Sequence, residues 1–104
     1  MRSVTRKYTV MESGPLPWIA WGRRDSNKSV MVAVDGVATY KLEHTLNELR
    51  RDTGFEPTVV DDDQVTGKTG TELFRTDAVL SGTRVNVTAV TPGAVITVTH
   101  ADIP

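Results

Sequence analysis

The sequence predicts an all-β protein, a single antiparallel β-sandwich or jelly-roll-like domain, on three observations. Valine and threonine occur fifteen times each against six leucines, an excess of β-branched residues that fit a pleated surface better than a helix. Apolar and polar residues alternate with period two in several short runs, as in strands with one buried and one wet face. The runs are separated by turn chemistry, above all Asp35-Gly36 and Thr91-Pro92-Gly93, where glycine admits the positive φ that tight turns require.

Along the chain, Arg6 to Met11 reads as a first strand with Tyr8 and Val10 on one face. Ser13-Gly14-Pro15-Leu16-Pro17 breaks it, because both prolines lack a donor. Trp18 to Trp21 is a short strand, with Trp18 and Ala20 on one face and Ile19 and Trp21 on the other. The polar stretch 22–27 leads to Ser29–Asp35, whose Val30, Val32 and Val34 face the core. Asp35-Gly36 predicts a two-residue hairpin turn into Ala38–Glu43, with Ala38, Tyr40 and Leu42 inward. Thr45-Leu46-Asn47-Glu48 has capping-box spacing. Residues 45–53 are therefore expected to be a loop with room for one or two helical turns, Leu46 and Leu49 plugging the end of the core.

A long polar connection follows from Thr53 to Thr83, with short apolar patches at Val59-Val60, Leu73-Phe74 and Ala78-Val79-Leu80. Such a connection suits a sandwich in which the chain passes between sheets. A second hairpin is expected from Thr83–Val90, with Val85, Val87 and Ala89 inward, through Pro92-Gly93 into Ala94–His100.

With 104 residues the chain is read as one domain, residues 1–104, large enough for a core without staples. It has no cysteine, which excludes disulfides, thiolate metal sites and a cysteine nucleophile. No apolar run nears the roughly 18 residues of a membrane helix, and the expectation is a soluble, unprocessed protein without membrane contact. The net charge of −1 hides an asymmetry. Residues 1–28 carry six Lys/Arg against Glu12 and Asp25, and the remainder six against eleven acids. That makes 1–28, basic and bearing both tryptophans, the candidate docking segment, with Trp18, Trp21, Arg23 and Arg24 as anchors, since aromatics and arginine dominate interface energetics. Nucleic acid is a poor partner for a chain that is acidic overall and has no clear stacking platform among its basic residues.

Motifs with chemistry are weak. Gly67-Lys68-Thr69 ends like a phosphate loop, but Asp62 stands where its first glycine belongs. Asp25 to Ser29 opens like a calcium loop, but Val30 replaces its glycine. Asp61-Asp62-Asp63 reads as a solvated acidic loop. His44 and His100, the only imidazoles, lie in no nucleophile-elbow or zinc-helix pattern. No enzymatic activity, metal or cofactor is expected.

The phrase Val30-Met31-Val32-Ala33-Val34-Asp35-Gly36-Val37-Ala38-Thr39-Tyr40-Lys41-Leu42-Glu43-His44-Thr45-Leu46, followed by Thr83-Arg84-Val85-Asn86-Val87-Thr88-Ala89-Val90 and a glycine-centred turn into Val95–Thr99, resembles small structural proteins of tailed-bacteriophage virions. The likeness covers about two thirds of the chain, from Ser29 onward. Residues 47–63 depart from it, with Glu48-Leu49-Arg50-Arg51 where a proline- and aromatic-rich loop is expected. The resemblance implies a β-sandwich that decorates or cements the capsid shell, partnered by the major capsid protein, arranged as a homo-oligomer or symmetric array, and located in the virion after assembly in the host cytoplasm. A tail or head-to-tail connector component is the alternative within the virion. A carbohydrate-binding module is the alternative outside it, if both tryptophans share one flat face.

Overall fold

The alternating runs become strands of two antiparallel sheets stacked face to face. The structure is a computed structural model and describes residues 2–21, 27–47 and 58–103, the side chains of Arg2 and Ile103 excepted. The strands are β1 (Arg2–Val10), β2 (Gly14–Pro15), β3 (Ile19–Ala20), β4 (Asn27–Asp35), β5 (Ala38–Thr45), β6 (Val60–Asp61), β7 (Glu72–Thr76), β8 (Gly82–Val90) and β9 (Ala94–Ile103). Sheet A has the order β1-β9-β4-β7; sheet B runs β2-β8-β5-β6, with β3 also pairing β8. There is no helix among the described residues.

Val30 and Val32 of β4 and Ile96 and Val98 of β9 face Tyr40 and Leu42 of β5 and Val85 and Val87 of β8 across one core. Each such side chain taken fully out of water contributes roughly 1.5–3 kcal/mol before entropy is counted.

Neither expected hairpin forms. β4 pairs with β7 and β9, while β5 pairs with β6 and β8, so Asp35-Gly36-Val37 carries the chain from one sheet to the other. Thr91-Pro92-Gly93 does the same between β8 and β9. The local turn chemistry is as expected at the second bend: Ala94 N donates to Thr91 O at 3.3 Å and Gly93 has φ +96°. At the first bend only Gly36 has positive φ, +107°, so a type I′ turn, which needs two such residues, is absent. Each bend is thus an arch, and the two arches lie against each other, β4 on β9 and β5 on β8.

Backbone contacts lock the bends together. Thr91 N donates to Val37 O at 2.9 Å, and Gly93 N donates to Val10 O at 3.0 Å. A Cβ on Gly36 would stand 3.0 Å from the Cα of Ala94, so only glycine meets both the conformation and the contact.

Other expectations are corrected in detail. The pairing of β5 with β8 skips Thr88, since Thr39 opposes Ala89 and Tyr40 opposes Val87. This bulge turns Ala89 outward, where it is exposed. Leu46 is 69% exposed and plugs nothing, and Thr45 Oγ1 accepts from Asn47 N, two residues on. Leu49 and the rest of the suggested helical turn, residues 48–53, lie outside the described residues. The long connection does pass between the sheets, with β6 in sheet B and β7 in sheet A; its first part is held to sheet B, where Asp62 N donates to Leu42 O, Leu42 N to Val65 O, and Tyr40 and Lys68 exchange a bond pair.

Candidate interaction site

β1 forms one edge of sheet A, with β9 as its partner. Opposite, the edge of sheet B is made by β2, β3 and the residues between them, fastened to β8 by Leu16 N to Val85 O at 2.8 Å. This segment is short because Pro15 and Pro17 cannot donate to a ladder. The two edges do not close on each other. Between them lies an open cavity of about 330 Å³, lined by Arg6 and Tyr8 on one side, Leu16, Pro17, Trp18 and Ile19 on the other, and Val98 and His100 at its floor.

Period two explains why Arg6 lines it. Arg6 opposes Val98 in the register with β9, as Tyr8 opposes Ile96 and Val10 opposes Ala94, and directly opposed residues share a face. A guanidinium therefore stands on the face that elsewhere carries the core. His100 meets the buried Trp21 edge-on, ring centroids 5.8 Å apart. Burial pushes the His100 imidazole below its ordinary pKa; Asp102 opposes that and Arg6 adds to it.

Of the four expected anchors, the two that are described, Trp18 and Trp21, are separated. Trp18 is half-buried on the outer side of β3, its ring 4.5 Å from the Arg84 guanidinium carbon. Arg84 Nε in turn donates to Glu43 Oε1 at 2.7 Å. Trp21 is only 7% exposed and belongs to the core; its Nε1 donates to Thr83 Oγ1 at 2.8 Å, so it offers no ring to a partner. Arg23 and Arg24 lie outside the described residues. Trp18 and Trp21 are on opposite faces of their segment, and the flat two-tryptophan platform required for the carbohydrate reading is absent.

A buried polar chain extends from Trp21. Thr83 Oγ1 is 2.9 Å from His44 Nδ1, and His44 Nε2 is 2.8 Å from Asp62 Oδ2. The indole can only donate, so Thr83 Oγ1 accepts from it. The Asp62 carboxylate can only accept, so His44 Nε2 carries a proton and donates to it. Asp62 Oδ1 accepts from Gln64 N and Val65 N. Burial would raise the Asp62 carboxyl pKa, but the bond from His44 and the two backbone donors outweigh it and hold it below the usual carboxylate value.

Asp62 is therefore a buried anchor, 8% exposed, and not part of a solvated acidic loop. The order hydroxyl, imidazole, carboxylate is that of a nucleophilic triad. Thr83 is 0% exposed and already receives the indole proton; a nucleophile must reach its substrate, and this one is sealed. The chain ties β3, β8, β5 and the connection after β6 into one unit.

No family model, curated protein or solved structure matches this chain. Among the described residues no group of three or more His, Asp or Glu side chains is placed to hold a metal ion, and no helix is long and apolar enough to cross a membrane.

The outer face of sheet B carries a second satisfied cluster. Glu43, 5% exposed, accepts from Arg84 and from Asn86 Nδ2 at 3.1 Å, with Lys41 Nζ 3.5 Å away. Burial would raise its carboxyl pKa; the bonds from Arg84 and Asn86 and the charges of Arg84 and Lys41 bring it below the usual value. Lys41 also bonds Asp61 at 3.0 Å. These charges are paired with each other, whereas Arg6 at the cavity has no ion-pair partner among the described residues.

The signal for Arg6 and His44 was in the sequence. Arg6 shares the phase of Tyr8 and Val10, and His44 that of Tyr40 and Leu42. Pattern alone does not place them inward, because charged and polar side chains are mostly exposed.

Proposed function

We propose that this chain is a structural protein of a tailed-bacteriophage virion, a capsid decoration or cement protein that binds the assembled shell and stabilises it. The observation that carries the reading is the open edge of β1 beside a cavity that mixes apolar walls with the Arg6 guanidinium, which has no ion-pair partner among the described residues, in the basic amino-terminal region. The resemblance from Ser29 onward supplies the virion context. The closed polar clusters on Asp62 and Glu43 suit a stiff body whose work is done at its surface.

A protein that binds only the assembled lattice stabilises it by mass action. Repetition around a symmetry axis raises occupancy without a very tight single site. The major capsid protein is the partner in this reading. The test is co-sedimentation of the purified protein with assembled capsids and with free capsid subunits. Pelleting with capsids alone is the expected result; binding to neither sinks the proposal. Copy number then separates decoration, at hundreds per particle, from a connector ring of about six or twelve.

A further inference from the structure

We infer that the open edge of β1 and the adjoining cavity receive an extended acidic segment of the partner protein, which adds to sheet A as a fifth strand and places a carboxylate against Arg6. This rests on the docking reading above and names the chemistry of the segment bound.

Three observations converge. β1 runs for nine residues with no proline, and its outer side has no strand beside it among the described residues. The other edges are shorter or guarded: β7 has five residues, β6 two, and the β2–β3 edge carries Pro15 and Pro17. A long unblocked edge is where an incoming strand finds free N–H and C=O groups.

Charge selects the occupant. β1 contains Arg2, Arg6 and Lys7 and no acid. A second copy pairing antiparallel about the strand centre would oppose Arg6 to Arg6, so self-association is disfavoured. Arg6 has no carboxylate partner among the described residues, and its charge adds to the burial that disfavours protonating His100 on β9. By contrast Lys41, Lys68 and Arg84 each have a carboxylate partner.

The cavity adds side-chain selectivity. Residues two apart on an added strand point to the same face, so a carboxylate opposite Arg6 brings the side chain two positions away over Leu16, Pro17 and Trp18. The preferred segment has an aliphatic residue, any residue, then Asp or Glu.

The experiment uses the full chain and a fluorescein-labelled peptide of about eight residues, with valine and glutamate alternating on one face and threonine between them, followed by fluorescence polarisation. Saturable binding is expected, lost when lysine replaces the glutamates and lost when alternate amides are N-methylated. Arg6→Glu is expected to weaken it tenfold or more. Lys7→Glu makes the same charge change on the opposite face of β1 and is expected to weaken it no more than about threefold. Equal losses in the two variants, or undiminished binding of the N-methylated peptide, overturn the inference. Wild-type protein that pellets with capsids as well as Arg6→Glu does would overturn it too while leaving the docking reading intact. Peptide binding without capsid binding would overturn the docking reading alone.

Discussion

Replacing Gly36 by alanine tests the arch topology directly. At φ +107° a side chain costs about 1–3 kcal/mol in backbone strain. The new Cβ would also stand 3.0 Å from Ala94 Cα and 3.1 Å from its Cβ; the first neighbour is backbone and gives way only by moving β9. Overpacking of that kind costs about 1–3 kcal/mol. Lower entropy of the unfolded chain returns about 0.4–1 kcal/mol. The expected net loss is about 2–4 kcal/mol. Gly93→Ala is the control, since φ there is +96° but nothing lies within 4 Å of the added Cβ, and it is expected to cost about 1–2 kcal/mol. Urea unfolding followed by tryptophan fluorescence reads both, and Ala94→Gly in the Gly36→Ala background is expected to show a coupling of at least about 0.5 kcal/mol. Equal losses at the two glycines and no coupling to Ala94 would refute the contact between bends. A hairpin of β4 with β5 would give that result.

Three further outcomes follow from buried ionisable groups. Tyr40, which donates to Gly70 O at 2.7 Å, has its phenol pKa pushed up to about 12 by burial and then by Glu72. The unfolded phenol ionises near pH 10, so stability is complete below that and declines as pH rises towards 12, by up to about 2–3 kcal/mol; urea midpoints measured up the alkaline range should fall less in Tyr40→Phe. His100 is held below its ordinary pKa by burial, so its contribution is complete above about pH 6.5 and is lost as pH falls below it; His100→Gln should flatten the dependence of thermal midpoint on pH between about 7.5 and 5. Asp62→Ala removes the acceptor for His44 Nε2, Gln64 N and Val65 N, and calorimetry should find a loss of about 2–4 kcal/mol, against a smaller loss for Asp62→Asn, whose carbonyl keeps the backbone bonds.

Strand content was legible because period two is a local signal, and Val30, Val32, Tyr40, Leu42, Val85 and Val87 all point where alternation puts them. Pairing was not. Asp-Gly and Pro-Gly report that the backbone bends, and they do so equally for a hairpin and an arch. The first bend did contain the answer. A two-residue hairpin on Asp35-Gly36 opposes Val34 to Val37, Val32 to Thr39 and Val30 to Lys41, which would throw Ala38, Tyr40 and Leu42 onto the wrong face. Only a crossing between sheets keeps both apolar sets inward. The second bend had no such conflict in its outer residues, and what decides it is competition from β1 and β4 for the two sides of β9, a long-range matter no window reveals. The same holds for the site: the phase of Arg6 could be read, but the cavity it enters depends on Leu16 to Ile19 lying opposite, which is a fact of the assembled sandwich.

The position of β9 has a consequence for how the molecule is made. It lies between β1 and β4 in sheet A, with Arg2 opposite Asp102 and Asn27 opposite Ile103, yet it is synthesised after all the other strands. Until it emerges from the ribosome, β1 lacks its one neighbour among the described strands and the valine ladder of β4 has a bare flank, while the arches leave few sequence-adjacent pairings to form early. Folding should therefore be slow for the size of the chain and should finish in a late, concerted step. Nascent chains stalled before residue 94 should be protease-sensitive throughout their first half.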